Sequence, residues 1–240
     1  MQSVLGGNMR FNILTLFPDM FSVLYESILG RAEKKGIIEF NTVNIRDFAC
    51  NKHNRVDDYP YGGGRGMVMQ AEPIYKAYMS IADKCENKPY VIYMSPKGNV
   101  LTQDKCRELA TKDNLVILCG HYEGVDQRII DLVVDEEISI GDYVLTGGEL
   151  PAMVLVDSVC RMIDGVLSNE ESFTDESHYN GLLEYPQYTR PPEFMGVEVP
   201  EVLLSGNHAK IADWRKQKSI EETMNKRPDL FVKYTKEDKK

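Results

Sequence analysis

The sequence has little that would stabilise a secreted protein or hold a structural metal ion. Its five cysteines are odd in number and widely separated, and none forms the C-x-x-C pair that is typical of zinc sites. The four histidines are equally isolated. These absences argue against a disulfide framework and against a zinc module, and they predict a reduced, cytoplasmic protein.

Long hydrophobic runs are also absent. No stretch approaches the ~20 apolar residues that span a bilayer, and the first residues lack the basic start and apolar core of a signal peptide. We therefore expect no membrane partner and no secretory leader. Residues 1–8 precede a second methionine, Met9, and we interpret them as an expression or start-site extension.

Positive charge is scarce overall. The formal net charge of −9 counts against a generic nucleic-acid binder. The imbalance is uneven, however, because residues 181–240 carry 11 Lys and Arg against 10 Asp and Glu. An acidic body with a nearly neutral C-terminal part is compatible with a local basic face, without demonstrating one.

Short apolar strands alternate with helical patterns along most of the chain. Strands are predicted over 9–17, 37–45, 90–94 and 115–119, and helices over 19–35, 72–85, 102–111, 125–133 and 149–163. This alternation predicts an α/β protein with a parallel sheet. The polar, acidic stretch 168–177 then predicts a flexible linker, and the pattern around 209–223 predicts a small, mostly helical domain.

Three predicted strand ends carry glycine or proline turns, at 93–96, 119–124 and 138–148. Glycine is favoured where the backbone needs a positive φ or must approach something closely. The apolar residues around the last turn, Ile138, Ile140, Val144 and Leu145, predict a largely buried segment. Each turn alone favours a structural role. Because the carboxyl ends of parallel strands share one edge, the three together favour a ligand site, suited to a flat polar ligand such as a purine.

Two further candidates are weaker when taken alone. The stretch Tyr61–Gly66 reads Y-G-G-G-R-G, but no Gly-Lys-Ser/Thr follows, so a phosphate-binding P-loop is excluded. An ordinary flexible loop is the interpretation that this stretch favours alone, and a binding loop of unspecified ligand is the alternative. Asp175 and Glu176 with Arg161 offer a general base and an oxyanion partner. Their spacing does not distinguish this role from that of an ordinary solvated linker.

Long motifs in a fixed order reveal a resemblance. They are Y-G-G-G-x-G-M, C-G-x-Y-E-G-x-D, S-I-G-D-Y-V-L-T-G-G-E-L-P, G-L-L-E-Y-P-Q-Y-T-R-P and V-L-L-S-G-N-H-A-x-I. From Met9 to about Arg227 the chain closely resembles the TrmD-type bacterial tRNA (guanine-N1)-methyltransferases. The resemblance implies a SPOUT-type parallel sheet with a deep trefoil knot, plus a small, mostly helical C-terminal domain. It divides the chain into a knotted AdoMet-binding domain (9–167), a linker (168–177) and a helical tRNA-binding domain (178–240).

The resemblance also implies a reaction. Family members transfer a methyl group from S-adenosylmethionine to N1 of the guanosine at position 37 of tRNA, as obligate homodimers with the active site at the subunit interface. Carried over by position, the cofactor-binding residues are Tyr93, Met94, Ser95, Pro96, Gly120, Tyr122, Glu123, Ile138, Ser139, Ile140, Gly141, Asp142, Tyr143, Val144, Leu145, Gly147 and Gly148.

The catalytic residues implied by the resemblance lie around the linker. The family base is an aspartate directly before a serine, whereas here Glu176 precedes Ser177 and Asp175 comes before it. Either acid can then be the base, and we favour Glu176. Arg161 is expected to hold the charge that develops on guanine O6. The family also uses Mg²⁺, for which Glu123 with the linker acid is a plausible location, although no motif shows a metal site. The surface expected to hold tRNA includes Arg190, Lys210, Arg215, Lys216 and Lys218.

Overall fold

The computed structural model describes residues 8–167, 177–178 and 181–237. The chain divides after Leu167 into two compact units, 1–167 and 168–240. The elements of the first unit are, in chain order, β1 (Met9–Thr15), a 3-10 helix (Pro18–Tyr25), α1 (Ser27–Lys34), β2 (Ile38–Asn44), a second 3-10 helix (Ile45–Phe48), β3 (Asp57–Asp58), β4 (Val68–Met69), α2 (Ala71–Ala82), β5 (Tyr90–Val100), α3 (Gln103–Leu109), β6 (Asn114–Cys119), α4 (Gln127–Val133), β7 (Glu136–Ser139) and α5 (Glu149–Cys160).

The central sheet of this unit has five strands in the order β2-β1-β6-β5-β7, and every neighbouring pair is parallel. Ile117 of β6 pairs with Ile13 of β1 on one side and with Ile92 of β5 on the other. Parallel strands covered on both faces are continuous apolar runs in sequence, which is why the pattern could predict them. The predicted α/β architecture with a parallel sheet is confirmed.

Helices cover both faces of the sheet and divide the core in two. Along β6, Leu115 and Ile117 face one core while Val116 and Leu118 face the other, as the two-residue period of a strand requires. The first core includes α5, and the second includes α2. In the part of the chain that the structure describes, no helix is long and apolar enough to cross a membrane.

Three cysteines serve as small apolar groups in the first core. Cys106, Cys119 and Cys160 are all buried there. Burial raises the pKa of each thiol, to about 11 for Cys106. These side chains are therefore protonated packing groups at neutral pH.

The single helix predicted over 19–35 is wrong, because the chain forms a 3-10 helix and then α1. Between them Glu26 is extended and Ser27 has a left-handed φ of 54°. The break brings Gly30 against Tyr25, where a Cβ on the glycine would lie 1.9 Å from the carbonyl oxygen. Apolar residues continue at helical spacing across the break, so periodicity could not reveal it.

The turn predicted at 93–96, after a strand ending at Met94, is also wrong, because β5 continues through it to Val100. The parallel ladder with β7 is interrupted, so that Met94 and Asn99 both pair with Ile138. Gly98 lies on the β7 backbone, and a Cβ there would be 2.3 Å from the carbonyl of Glu137. The glycine is thus required by a close crossing of two backbones, rather than by a turn.

The second unit contains a short hairpin and three helices within its described residues. Its elements are β8 (Glu193–Phe194), β9 (Val197–Glu198), α6 (Glu201–Leu204), α7 (His208–Lys226) and α8 (Pro228–Glu237). A buried hydroxyl stabilises the packing, since Thr223 Oγ1 accepts the N–H of Leu183 at 2.8 Å and donates to the Ser219 carbonyl at 2.6 Å. The helix predicted over 209–223 is therefore confirmed and extends further in both directions.

Replacing Gly98 with alanine is expected to destabilise the first unit, because the new Cβ would overlap backbone atoms that cannot rotate away. Overpacking of this kind costs about 1–3 kcal/mol, which corresponds to a fall of roughly 2–12 °C in Tm. Thermal unfolding followed by circular dichroism measures it. Gly98 is not among the glycines with a positive φ, so alanine adds no backbone strain there, and Asn99→Ala at the exposed neighbouring position is the control. An equal fall in both variants would show that the crossing at Gly98 does not set the cost.

Candidate functional site

Three strand ends meet at one edge of the sheet. The strands β6, β5 and β7 are neighbours and parallel, so their carboxyl ends point the same way. Residues 93–97 within β5, the turn after β6 and the segment at the end of β7 surround a cavity of about 300 Å³. Its size is at the lower end of the range for small-molecule sites, and its position is the one that ligands occupy in parallel α/β sheets.

Sixteen of the seventeen residues predicted to bind a cofactor line this cavity, and Asp142 is the exception. Their role as cofactor ligands stays a prediction. The lining also contains nine residues outside that set, namely Lys97, His121, Gly124, Val125, Gln127, Ile130, Glu137, Thr146 and Pro151, of which His121, Gly124 and Thr146 lie within the predicted turns. Most of them lie within or beside the three turns. Gln127 and Ile130 are the hardest of these residues to predict from the sequence, because they reach the cavity only through the packing of α4.

Glycines allow the three turns to approach one another. Gly148 lies on the end of β6, where a Cβ would be 2.8 Å from Cys119 Cα and from the Gly120 nitrogen. Its own N–H donates to the Gly120 carbonyl at 2.8 Å. A Cβ on Gly120 would in turn lie 2.8 Å from the Tyr93 hydroxyl of β5. The close backbone approach expected of these glycines is therefore present.

The segment 138–148 is not largely buried, which corrects the expectation drawn from its apolar residues. Ile138 is buried, but Val144 is 81% exposed and Leu145 is also exposed. The backbone turns at Gly141, whose φ is 149°. The residues beyond it then curve around the mouth of the cavity, where one side of each is open to solvent. Apolar side chains at this position belong to a site rather than to the core.

A buried carboxylate and a histidine lie beside Gly147. A Cβ on this glycine would be 2.4 Å from Glu149 Oε2 and 2.7 Å from His121 Nδ1. Glu149 is buried and accepts the Thr15 hydroxyl at 2.9 Å. The ring of His121 packs edge-on against those of Phe17 and Tyr122. Its Nδ1 is buried and has no hydrogen-bond partner among the described residues, so the cavity wall contains a polar atom that a ligand can satisfy.

Polar groups of the turns are mostly satisfied within the turns themselves. Ser139 Oγ donates to the Gly141 carbonyl at 2.9 Å and accepts the Gly141 N–H at 3.1 Å. Ser95 Oγ accepts the N–H of Lys97 at 3.2 Å. Burial, assisted by the charge of Glu137, raises the pKa of Tyr93 to about 12. The Tyr93 phenol is therefore a neutral hydrogen-bonding group at neutral pH.

The predicted catalytic residues are not brought together within the described residues. Arg161 follows α5 at its C-terminal end and does not line the cavity. The cavity lies at the opposite end of this 12-residue helix, about 18 Å away at the α-helical rise. Asp175 and Glu176 lie outside the described residues, as does most of the predicted linker 168–177.

No metal centre is evident in the part of the chain that the structure describes. Within 8–167, 177–178 and 181–237 no three His, Cys, Asp or Glu side chains form a group that could hold a metal ion. Glu123 lines the cavity, but its suggested partner from the linker lies outside these ranges. The magnesium ion therefore stays a prediction.

The fold and the cavity define a class of protein. It is the class of α/β proteins with a parallel sheet and a glycine-lined ligand site at the carboxyl ends of the strands. Comparison with known proteins identifies the member of this class. The chain matches the family tRNA (guanine-1)-methyltransferase TrmD over residues 9–233. It therefore belongs to that family, and the resemblance seen in the motifs is confirmed.

Individual relatives cover nearly the whole chain. The tRNA (guanine-N(1)-)-methyltransferase of Ruminiclostridium cellulolyticum is 62% identical over 226 residues, which are 94% of this chain and 97% of the relative. The protein of the same name from Clostridioides difficile is 58% identical over 227 residues, 94% of this chain and 98% of the relative. That of Clostridium botulinum is 57% identical over 234 residues, 97% and 96% of the two chains.

Stability at alkaline pH is expected to depend on Tyr93. Because its folded-state pKa, about 12, exceeds the ordinary value of about 10, its contribution is complete below pH 10 and is lost between about pH 10 and 12. A two-unit difference corresponds to about 2–3 kcal/mol. Urea unfolding from pH 8 to 11 should show a steeper loss of stability in the wild type than in Tyr93→Phe. Identical slopes above pH 10 would contradict this assignment.

Proposed function

We propose that this chain is a methyltransferase that moves a methyl group from S-adenosylmethionine to N1 of the guanosine at position 37 of tRNA, next to the anticodon. The observation that carries the proposal is the cavity at three glycine-containing strand ends in a chain of the TrmD family. Family membership and the names of the relatives supply the reaction and the tRNA substrate. The methyl donor and position 37 follow from the motif resemblance.

The cavity fits the proposed cofactor in its chemistry. Its glycines leave room for a ligand against bare backbone, and the partnerless Nδ1 of His121 is available to it. Glu123 and Glu137 in the lining, against Lys97, give the wall an excess of carboxylates that favours a cationic ligand. When bound, the cofactor supplies an electrophilic methyl group on a positively charged sulfur. Residues 93–97 of β5, the turn 120–124 and the segment 137–148 would hold it.

We also propose that the chain is knotted around this cavity. Two close backbone crossings support it, that of Gly98 over Glu137 and that of Gly148 over Cys119. Both join segments that are far apart in sequence, and both exclude even a methyl group. True knots are essentially absent from proteins, so no sequence pattern would suggest one without the family resemblance.

The reaction requires a base before it can proceed. Guanine N1 carries a proton at neutral pH and is a poor nucleophile until that proton is removed. We propose Glu176 for this step, with Asp175 as the alternative. Negative charge then spreads onto O6, where Arg161 is proposed to stabilise it as an oxyanion partner. Mg²⁺ near Glu123 remains part of the proposal, and so does a cytoplasmic location.

A second copy of the chain is proposed to complete each site. Arg161 and the cavity of its own chain lie at opposite ends of α5, so an arginine adjacent to the cofactor is supplied most simply by a partner. The exposed surface of the first unit supports a homodimer. Leu150 and Val154 lie one turn apart on the exposed side of α5, and Met20 and Val23 of the first 3-10 helix are exposed as well. The 3-10 helix contacts α5, so these apolar residues belong to neighbouring elements.

The tRNA is proposed to be held by local basic residues of the second unit, despite the acidic total. Arg190, Lys210, Arg215 and Lys216 are exposed there, and Lys218 is half-buried. Lys218 also pairs with Glu221, which lowers its availability to phosphate. Few phosphate contacts imply a moderate dependence of binding on salt concentration.

Labelled methyl transfer to unmodified tRNA transcripts tests the proposal. A transcript with guanosine at position 37 should be labelled, and one with adenosine there should not. Glu176→Gln is expected to lower the rate by about 10²–10⁴-fold, the range for loss of a general base, while Asp175→Asn retains most activity. Loss in Asp175→Asn instead would assign the base to Asp175. If the wild type labels neither transcript, the chain is a non-catalytic RNA- or nucleotide-binding module.

Arg161→Ala is expected to separate catalysis from cofactor binding. Removal of an oxyanion partner lowers kcat by about 10²–10³-fold. Binding of adenosylmethionine, measured by calorimetry, should stay within about twofold of the wild type, because the proposed partner of Arg161 is guanine O6 and not the cofactor. Arg161→Lys is the matched control that keeps the charge and should recover part of kcat. An unchanged kcat in Arg161→Ala, or a lost cofactor affinity, would contradict the assigned role.

A further inference from the structure

The glycine-rich loop of the first unit has no role in the function proposed so far. The loop connects β3 to β4, which form a separate two-stranded sheet. In it Asp57 pairs with Met69 and Asp58 with Val68 in antiparallel register. Residues 59–66 therefore form the tip of a hairpin-like projection, which we call the tyrosine arm. Its sequence is Y-P-Y-G-G-G-R-G.

The base of the tyrosine arm is joined to the wall of the cavity. Glu123 donates its N–H to the Met67 carbonyl at 3.0 Å, and Met69 donates to the Gly124 carbonyl at 2.9 Å. Glu123 and Gly124 both line the cavity. Gly66 rests on the Glu123 side chain, where a Cβ would lie 2.4 Å from Cγ. The arm therefore begins at the cavity edge and is held there by backbone hydrogen bonds.

The tip presents two aromatic rings to solvent. Tyr61 is 98% exposed and Tyr59 is 78% exposed. Gly62 and Gly63 have positive φ, yet no heavy atom lies within 4 Å of where their Cβ atoms would be. These glycines therefore serve backbone conformation and not packing. The arm keeps its aromatic rings away from the core, next to a proposed RNA-modifying site.

Guanidinium groups accompany the two rings. Arg55 and Arg65 are exposed on either side of the tyrosines. Arg128 at the start of α4 is held by Asp126 through two hydrogen bonds. Those bonds raise the pKa of Arg128, so it carries its positive charge at neutral pH. Aromatic rings beside cationic side chains are the groups with which proteins bind unpaired nucleotides.

We propose that the tyrosine arm stacks on an unpaired base next to the reacting guanine of the RNA substrate. The inference rests on the proposed function and adds a contact on the substrate side, with Tyr61 and Tyr59 as the stacking residues. Single-stranded RNA is bound in this way because unstacked bases expose faces that aromatic side chains cover. Asp57 and Asp58 lie at the base of the arm. The Asp58 carboxylate accepts the N–H of Tyr59 at 2.8 Å and so helps to orient this residue.

The test measures RNA binding without requiring methyl transfer. An anticodon stem-loop RNA with 2-aminopurine beside the target guanosine is titrated with the full chain and adenosylmethionine. The wild type should change the fluorescence of the probe. Tyr61→Ala is expected to bind about tenfold more weakly or worse, in the range for loss of one stacked base, whereas Tyr61→Phe binds like the wild type. Tyr75→Ala, an exposed tyrosine of α2 outside the cavity lining, is the control and should bind normally.

The salt dependence of RNA binding distinguishes a stacking contact from an electrostatic one. Tyr61→Ala should lower affinity at every salt concentration without changing the slope of log K against log salt. Arg65→Gln should reduce that slope by up to about 0.7, the value for one phosphate contact on a single strand. A reduced slope in Tyr61→Ala would overturn the stacking role in favour of an electrostatic one.

Other outcomes also overturn the inference. Wild-type affinity in Tyr61→Ala, with cofactor binding and Tm unchanged, would show that the arm does not contact RNA. A change of oligomeric mass in Tyr61→Ala, measured by light scattering, would show that the ring contacts a second copy of the chain. Failure of the proposed function is distinct from both, because it appears as RNA binding by the wild type without methyl transfer to guanosine 37.

Discussion

The contact of Gly148 with the end of β6 is the constraint on which the site depends. The N–H of Gly148 bonds to the Gly120 carbonyl, and the glycine lies closer to Cys119 than any side chain would permit. This contact places the first turn of α5 at the sheet edge. Glu149, the first residue of α5, is buried there and accepts the Thr15 hydroxyl. A cavity forms because three strand ends are closer together than ordinary side chains allow.

The turn after β6 links two surfaces of the first unit. Its inner side, from Gly120 to Val125, lines the cavity, and its backbone also bonds to Met67 and Met69 at the base of the tyrosine arm. Tyr122 within it has a left-handed φ of 59°, a strained conformation that persists where surrounding structure over-determines it. A ligand that shifts this turn would therefore shift the arm. The proposed cofactor side and the proposed RNA side of the site share one short piece of backbone.

Sequence reasoning succeeded where a single physical requirement produces a recognisable pattern of residues. Parallel strands buried on both faces are apolar runs, and glycines at strand ends mark close backbone approach, so the sheet and most of the cavity lining were predictable. It failed where tertiary contacts decide, as in the helix break at Ser27, the extension of β5 to Val100 and the exposure of Val144. His121 carried no signal of its own, because an isolated histidine fits any environment. The catalytic assignments of Arg161, Asp175 and Glu176 came from family resemblance, since residue spacing alone did not distinguish them.

The chemical reactivity of the buried cysteines indicates whether the structure around them is intact. Cys119 lies under the crossing at Gly148, and burial in the apolar core raises the pKa of its thiol. Only a thiolate reacts readily with oxidants and alkylating reagents, so the group is inert while the sheet edge is closed. Any event that separates α5 from β6 exposes it. The rate at which this sulfur is modified therefore reports how often the cavity wall opens, on the timescale of local unfolding.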